Sequence, residues 1–552
     1  MDREFWHDKY PASVPFSIDT RKYQSVLELF DESIKRYAAK PAYSNMGHTL
    51  SYAELDRLSA AFAAWLQQHT DLQPGDRIAV QLPNLLQYPV VVFGAMRAGL
   101  IVVNTNPLYT EREMVHQFND AGAKALVSFA NVGDLVAKVL PQTAVRHVII
   151  TELGDLLPVP RRLLVNAVVK HVKKMVPTYT IPGVHALRDV LRRGRRLSLR
   201  AHAAASDDVA ILQYTGGTTG VAKGAMLTHA NLVANLLQMR VQLSHFQPGE
   251  ELMVAPLPLY HIFAFTVCCL GMMEMGGHAL LITNPRDLPA FVKEMKRYRF
   301  TAFAGLNTLF VALLNNAQFR QLDFSSLKMT VAGGMALTHK AAQEWESVTG
   351  CRICEGFGMT ETSPVISMNP FDAIQLGSIG LPVSNTEIKI VDDQGEEVAI
   401  DATGEICVRG PQVMKGYWQR PEATAETIDA DGWLHTGDIG LIQPDGYLRI
   451  VDRKKDMILV SGFNVYPNEI EDVVATLGGV LESAAVGVQD AKSGEAVKLF
   501  VVRKDPKLTE ADVLAHCRAN LTGYKVPRSI VFRDALPKSP VGKILRRELR
   551  DQ

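Results

Sequence analysis

The chain has 552 residues, of which 47% are hydrophobic and 21% are charged, and its 58 basic and 58 acidic residues leave no formal net charge at pH 7. A globular protein of this size is expected to contain two or more domains. The zero net charge removes any general electrostatic argument for nucleic-acid binding, so an anionic partner has to be bound by a local basic patch.

The sequence predicts no targeting or membrane-spanning segment. The segment MDREFWHDKY at the start is charged from its second residue, and charged residues such as Arg97 and Glu274 interrupt the most apolar stretches. Six cysteines without a recognisable disulfide framework favour a reducing compartment. We therefore expect a cytoplasmic protein.

Helical and strand patterns alternate along most of the chain. Ser51 and Glu54 form a capping-box pattern ahead of an amphipathic stretch over 52–69, which predicts a helix. The segments DRIAVQLPN (76–84) and AKALVSFAN (123–131) predict buried strands between helices. This alternation predicts an α/β fold with large, mostly parallel sheets covered by helices.

The stretch 161–200 is strongly basic. It carries eleven Lys and Arg residues against one Asp, interleaved with Leu and Val as in RRLLVNAVVKHVKKMV. A basic amphipathic surface of this kind can bind anionic lipid headgroups, although runs of charge are more often plain solvated surface. We expect peripheral contact with an anionic membrane through 161–200, on the cytoplasmic face of the inner membrane.

A loop rich in glycine and hydroxyl side chains, YTGGTTGVAKGA, occupies residues 214–225. It follows an apolar run over 209–214 and precedes a helix start predicted at Thr228. Glycines let backbone N–H groups approach an anion, hydroxyls donate further hydrogen bonds and Lys223 adds a positive charge, so the loop can wrap a polyphosphate. It is not a Walker A motif, because Gly224 follows the lysine with no hydroxyl residue after it. The alternative is a flexible connector between a strand and a helix.

Four later segments carry further groups that a nucleotide reaction requires. EGFGMTE (355–361) combines glycines, an aromatic residue and a Thr-Glu pair, and DGWLHTGDIG (431–440) presents Asp438 after a Thr-Gly turn. Arg453 follows the strand pattern GYLRIV, and PKSPVGKILRREL (537–549) places Lys543 in a Pro/Gly loop. Near the first of these, Cys351 and Cys354 form a CxxC that we interpret as a pair of core thiols, since no second ligand pair follows.

The last hundred residues have a different pattern. Pro467 opens a short helix that ends at Gly478 and Gly479, ESAAVGVQDAKSGEAVKLFVV (482–502) predicts a hairpin, and a further helix and strand follow. This order predicts a small α+β domain. The charged segment DRKKDMILVSG (452–462) suits a hinge between this domain and the rest of the chain.

Together, the five segments resemble the adenylate-forming superfamily, which includes acyl-CoA synthetases, firefly luciferases and the adenylation domains of peptide synthetases. The resemblance covers essentially the whole chain, and 431–458 closely resembles bacterial long-chain fatty acid CoA ligases. It implies a large multi-sheet amino-terminal domain (1–452) that binds AMP and the acyl group, a hinge (453–457) and a small mobile carboxy-terminal lid domain (458–552). It also implies ATP and CoA as cosubstrates and Mg²⁺ as cofactor.

The implied reaction has two steps. A fatty acid carboxylate attacks the α-phosphate of ATP to give an acyl-adenylate and pyrophosphate, and the CoA thiolate then displaces AMP. Because charge develops on phosphate oxygens, the first step needs positioned cations and donors more than a general base.

The resemblance also implies roles for individual residues. The phosphates are held by Tyr214, Thr215, Gly216, Gly217, Thr218, Thr219, Gly220 and Lys223. The adenosine moiety and α-phosphate are bound by Gly333, Gly334, Glu355, Gly356, Phe357, Thr360, Asp438 and Arg453. The catalytic residues are Lys543, Thr218, Lys223 and Glu361, with Glu361 also the Mg²⁺ ligand, Lys455 the hinge residue and Gly462 on the thioester-forming face. His261 is a candidate gate of the acyl pocket, and a packed histidine is the alternative.

Several functions remain open from the sequence. The favoured function is a long-chain fatty acid CoA ligase, and the nearest enzymes are a medium-chain or aryl acid CoA ligase and a fatty acyl-AMP ligase that transfers its acyl group to a carrier protein. A membrane-associated sensor of fatty acid or nucleotide is the alternative that is not an enzyme. The sequence leaves open the acyl length, the pathway served and whether the chain forms a homodimer.

Overall fold

The structure is a computed structural model that describes residues 4–215, 222–461, 463–490, 493–539 and 542–550. Four sheets with helices packed against them make up the described part of the chain. This arrangement confirms the predicted α/β fold with several large sheets. The Gly216–Gly220 part of the first loop and Gly462 lie outside the described residues.

The largest sheet has nine strands. Its inner strands run parallel to one another, and the pairs at its two edges are antiparallel. In spatial order the strands are Leu381–Pro382, Val365–Met368, Ile353–Gly358, Met329–Ala332, Ala302–Gly305, Leu252–Ala255, His278–Leu281, Pro41–Asn45 and His48–Ser51.

A second sheet has seven strands, which are parallel except for the last pair. It includes both strands predicted from 76–84 and 123–131. In spatial order the strands are His185–Ala186, His147–Thr151, Ala123–Phe129, Arg77–Val80, Ile101–Asn104, Val209–Tyr214 and Gly224–Thr228.

Two smaller sheets follow in the sequence. The first is antiparallel throughout, which differs from the parallel arrangement expected for this part of the chain, and consists of Glu387–Val391, Gly404–Arg409, Leu434–Ile442 and Leu448–Arg453. The second contains the predicted hairpin as Val480–Asp490 and Gly494–Arg503, together with Ile458–Val460, Phe463–Val465 and Ser529–Arg533.

The helices cover the faces of these sheets. The predicted capping box is present, because Ser51 Oγ accepts from the Glu54 backbone and the Glu54 carboxylate accepts from the Ser51 backbone. The α-helices are Glu4–His7, Val26–Tyr37, Tyr52–His69, Gln87–Arg97, Glu111–Ala121, Gly133–Val139, Val159–Ala167, Leu187–Gly194, His229–Arg240, Ile262–Ala264, Met272–Glu274, Leu288–Met295, Asn307–Leu314, His339–Thr349, Pro421–Thr427, Pro467–Thr476, Glu510–Asn520 and Arg546–Arg550. The π-helices are Val168–Val172 and Phe265–Gly271, and 3₁₀ turns occur at Ala130–Val132, Leu140–Gln142, Val241–Leu243, Phe319–Gln321, Thr360–Thr362 and Gly523–Lys525.

One apolar core joins the two large sheets. Phe62, Phe93 and Leu236, from three different helices, are buried in the same cluster as the strand residues Val102 and Met253. Burial of this apolar surface fixes the two sheets relative to each other. Along the described residues, no helix is both long and apolar enough to cross a bilayer.

Candidate active site

A cavity of about 1920 Å³ lies at the carboxyl ends of parallel strands from both large sheets. Tyr214 ends one of these strands, Gly333 follows another and Gly358 ends a third. Ligands of open α/β sheets bind at such edges, where the loops between elements meet. The cavity is also lined by the predicted residues Thr215, Lys223, His261, Gly334, Gly356, Phe357, Thr360, Glu361, Asp438, Arg453, Lys455 and Lys543.

The predicted phosphate loop joins two antiparallel strands. Tyr214 is paired with Gly224, and the Thr215 backbone N–H donates to the Lys223 carbonyl at 3.0 Å, so the two ends of the loop are held together. The sequence suggested a strand followed directly by a helix, but the strand Gly224–Thr228 comes first and Thr228 then caps the helix His229–Arg240. The predicted phosphate contacts of Gly216, Gly217, Thr218, Thr219 and Gly220 lie outside the described residues.

Tyr417 connects two of the predicted residues, Glu361 and Lys223, and no pattern in the sequence indicates it. Its hydroxyl donates to Glu361 Oε1 at 2.6 Å, and its ring lies under Lys223, with Nζ 5.1 Å from the ring centroid. The Tyr417 segment is itself held beside the loop, because the Trp418 N–H donates to the Gly224 carbonyl. Tyr417 contacts Lys223 through a cation–π interaction and Glu361, 56 positions away in the sequence, through a hydrogen bond. Neither contact produces a local sequence pattern.

Glu361 presents a buried carboxylate to the cavity. Its backbone carbonyl accepts from the Met414 N–H at 2.7 Å, and the residue is 6% exposed. Burial raises the pKa of Glu361, and the hydrogen bond from Tyr417 acts in the opposite direction. A hard oxygen ligand next to the predicted phosphate loop fits Mg²⁺, which is usually bound by one or two carboxylates plus phosphate oxygens and water. The described residues contain no group of three or more His, Cys, Asp or Glu side chains placed to hold a metal ion by themselves.

Glycines keep one part of the cavity open. A Cβ added at Gly333 would lie 3.3 Å from the Gly356 carbonyl oxygen, and one added at Gly334, where φ is +83°, would lie 3.3 Å from Lys543 Cε. A flat ligand can therefore approach the backbone closely here.

Glu355 is placed differently from its neighbours, since it is absent from the described lining of this cavity. Its carboxylate accepts from the Leu337 N–H at 3.0 Å. Burial raises the pKa of Glu355 to about 8.

Asp438 and Arg453 are cross-strand partners in the four-stranded sheet. The Arg453 Nε lies 3.3 Å from Asp438 Oδ1, and the backbone at Gly437 has a φ of +71°, which allows the tight turn predicted before the aspartate. Asp438 is 7% exposed, and its burial raises its pKa, partly offset by Arg453 and Lys543.

Lys543 reaches this cavity from the carboxy-terminal segment. The Gly542 carbonyl accepts from Thr308 Oγ1 at 3.1 Å, and the Lys543 N–H donates to Ser539 Oγ at 3.1 Å. Burial and the nearby Arg453 lower the pKa of Lys543 to about 8, and Asp438 opposes this shift. The lysine is thus brought to the same cavity as Glu361 and Asp438.

Lys455 lies between the cavity and the carboxy-terminal segment. Burial and Arg453 lower its pKa to about 8, and its backbone carbonyl accepts from Arg550 Nη2 at 3.0 Å. Arg546 lies within 4 Å of three carboxylates, those of Asp452, Asp456 and Glu471. These contacts hold the segment 453–457 in its present conformation.

His261 stands at the start of an apolar part of the cavity. Its Nδ1 accepts from the Phe263 N–H at 3.3 Å, and burial lowers its pKa to about 3, so the ring is neutral at pH 7. Beyond it, the cavity is lined by apolar side chains from the helical segment 262–272 and the helix His229–Arg240. The segment 262–272 is thus both a mostly buried helical segment and part of the apolar lining of the cavity.

The chain belongs to the family of AMP-binding enzymes: the AMP-binding enzyme description matches residues 30–418, and the AMP-binding enzyme C-terminal domain matches residues 469–543. The fold and the enzyme class predicted from the sequence are thereby confirmed.

The relatives refine this class. The chain is 56% identical over 552 residues to a long-chain-fatty-acid--CoA ligase of Escherichia coli O157:H7, covering 100% of this chain and 98% of the relative. It is 55% identical to a long-chain-fatty-acid--CoA ligase of Yersinia pestis, covering 99% of this chain and 98% of the relative. Among solved structures, it resembles ATP-bound MatB from Rhodopseudomonas palustris with a TM-score of 0.81 and 29% identity, covering 95% of this chain and 98% of that one.

Proposed function

We propose that the protein is an ATP-dependent long-chain fatty acid CoA ligase that works through an acyl-adenylate. The observation that carries the proposal is one cavity that is lined both by Lys543, Glu361 and Asp438 and by apolar side chains of the segments 236–243 and 262–272. A fatty acid lying in the apolar part places its carboxylate among the charged groups. The full-length similarity to long-chain-fatty-acid--CoA ligases supports the same substrate.

The residues of the cavity have distinct roles in the first step. Lys223 binds the β- and γ-phosphates together with the loop 215–220, and Asp438 accepts hydrogen bonds from the ribose hydroxyls. Lys543 bridges the fatty acid carboxylate and the α-phosphate, and stabilises the negative charge that develops as the new bond forms. Phe357 packs on adenine, which the glycines at 333, 334 and 356 allow to approach the backbone.

Glu361 would hold Mg²⁺, and Tyr417 would orient the carboxylate for it. When bound, the ion supplies charge neutralisation for the phosphate oxygens of ATP. The protein's own contribution is to keep Glu361 in one orientation through the 2.6 Å hydrogen bond from Tyr417.

We further propose that the carboxy-terminal part forms a separate domain after the hinge 453–457. Its described apolar clusters consist of residues from 458 onward, and contacts to the rest of the chain include polar ones such as Lys340 Nζ to the Ala475 carbonyl at 3.0 Å. A polar interface of this kind can separate at modest cost. Rotation about Lys455 would then replace Lys543 by the face that carries Gly462, so that CoA can attack the acyl-adenylate.

Peripheral membrane contact is proposed for the basic stretch 161–200. The helix Val159–Ala167 and the following turn Val168–Val172 have no buried residue among those described, and Leu163, Leu164 and Val172 are 60%, 64% and 73% exposed. Exposed leucines and valines next to Lys170, Lys173 and Lys174 favour a surface that inserts shallowly among anionic headgroups.

Liposome sedimentation would test this contact. Neutralising Arg192, Arg193, Arg195 and Arg196 should weaken binding to anionic vesicles at low salt, because each basic residue near the surface contributes about 1 kcal/mol. Unchanged binding would contradict the proposal. Vesicles of neutral lipid are the control.

The ligase function is tested with ATP, Mg²⁺ and CoA over saturated acids from short to long chain. We expect pyrophosphate release and thioester formation to peak with long chains and to collapse in Lys543→Ala. Thioester formation that peaks with medium-chain or aryl acids would identify that ligase instead. Pyrophosphate without thioester would indicate a carrier-protein acceptor, and no activity with any acid would favour a sensor.

A further inference from the structure

An ion pair between a partly buried arginine and a buried carboxylate lies beside the apolar part of the large cavity. Arg240 Nε donates to Glu274 Oε2 at 3.1 Å, and the Glu274 carboxylate is 7% exposed. The other carboxylate oxygen accepts from Lys22 Nζ at 3.0 Å and from the Tyr23 hydroxyl at 3.2 Å. Both oxygens of the Glu274 carboxylate therefore accept hydrogen bonds, one from Arg240 and the other from Lys22 and Tyr23 nearer the surface.

Arg240 separates two cavities. It lines the large cavity together with Leu243 and Met272, and it also lines a second cavity of about 400 Å³ that contains Glu274 and Met275. The side chain of Arg240 is thus a wall common to both.

The pair lies far from the reacting groups. His261, whose pKa is lowered in part by Lys543, begins the helical segment that continues through Val267 to Met272. The consecutive helical segments Ile262–Ala264, Phe265–Gly271 and Met272–Glu274 place several turns of helix between His261 and Glu274. Arg240 is the last residue of the facing helix, so the apolar walls end where the ion pair begins.

We propose that Arg240, held by Glu274, forms the floor of the acyl cavity and sets the longest fatty acid that the protein accepts. This inference rests on the proposed ligase function, since it assigns the floor to the substrate of that site. A terminal methyl group that reaches the floor meets two paired charges. A longer chain has to displace Arg240 from Glu274, which breaks the 3.1 Å hydrogen bond between them and leaves the guanidinium without that partner.

Because Glu274 has further hydrogen-bond partners near the surface, the role of Arg240 can be tested by substitution. In Arg240→Ala, Lys22 and Tyr23 still satisfy the carboxylate, so the substitution does not leave a bare buried charge. It removes the wall and joins the two cavities. We expect the ratio of kcat/KM for very-long-chain to long-chain acids to rise on the order of tenfold, the lower end of the discrimination that one methylene gives in an apolar pocket.

Two further variants complete the experiment on the full chain. Lys22→Ala removes the more exposed partner and leaves Arg240 in place, so the chain-length profile should match that of the unmodified protein. Arg240→Lys keeps a cation for Glu274 but loses the guanidinium wall, and should shift the profile in the same direction by less. It also provides a test if Arg240→Ala does not fold.

Equilibrium binding of the same acids without ATP or CoA separates this inference from the ligase proposal. A protein that forms no thioester refutes the ligase function, whereas the length limit for binding still reports on the floor. We expect the tightest-binding acid to become longer in both Arg240 variants. An unchanged limit in folded Arg240→Ala, or an equal shift in Lys22→Ala, would overturn the proposal.

Discussion

Replacing Tyr417 by phenylalanine isolates one hydrogen bond of the candidate active site. The hydroxyl donates to Glu361 Oε1 at 2.6 Å, whereas the ring that Lys223 covers at 5.1 Å is retained in the variant. A hydrogen bond to a charged group contributes about 1.5–3 kcal/mol, which corresponds to roughly 10- to 100-fold in an equilibrium constant. We therefore expect Tyr417→Phe to raise the Mg²⁺ concentration needed for half-maximal activity by that factor.

The assay is pyrophosphate release with Mg²⁺ varied at fixed ATP and saturating fatty acid. Tyr447→Phe is a matched control, because the Tyr447 hydroxyl donates at the same 2.6 Å to the Ala373 carbonyl and Tyr447 is absent from the described lining of the cavity. The control should lose only stability, by about 1 kcal/mol. If both variants had the Mg²⁺ dependence of the unmodified protein, the orienting role of Tyr417 would be refuted.

Three further outcomes follow from the charges in the cavity. Lys543→Ala should lower the rate of adenylate formation by about 100- to 1000-fold, a larger effect than on ATP binding, measured by single-turnover pyrophosphate release. Because the pKa of Lys543 is lowered to about 8 in the protein without ATP, its charge is present below that pH and lost above it, so kcat/KM for ATP, which reports the free protein, should decline as the pH rises through 8. Lys543→Arg should remove this decline if it retains activity, and a decline that persisted would point to another group. His261→Ala should change KM for the fatty acid and leave the pH profile unaltered, since the pKa of His261 is already about 3.

Local signals in the sequence predicted the elements that local chemistry determines. The capping box at Ser51 and Glu54 begins the helix Tyr52–His69, and the hairpin predicted over 482–502 appears as two long antiparallel strands. In both cases a few neighbouring residues satisfy the backbone hydrogen bonds, so the pattern and the structure coincide. The resemblance to adenylate-forming enzymes named further residues, and most of these residues line one cavity.

Contacts between distant segments were not predictable in this way. Tyr417 and Glu361 meet because the segment 414–418 hydrogen-bonds both to the strand Gly224–Thr228 and to the Glu361 backbone, and nothing near either residue in the sequence indicates the other. Arg240 looks like an ordinary basic residue at a helix end, and only the two cavities on either side of it show that it is a wall. Sheet order is likewise non-local, as shown by the strand Pro41–Asn45 pairing with His278–Leu281.

The cavity brings together cations that repel one another. Arg453 lowers the pKa of both Lys543 and Lys455, and Asp438 alone does not offset the burial of the two lysines. An ATP molecule adds several negative charges at this place, so its binding relieves the repulsion and favours the protonated form of Lys543. Binding of ATP thereby offsets the cost of keeping the buried lysine charged. A lysine that is fully charged only when ATP is present stabilises the developing charge on the α-phosphate in the complex where that charge arises.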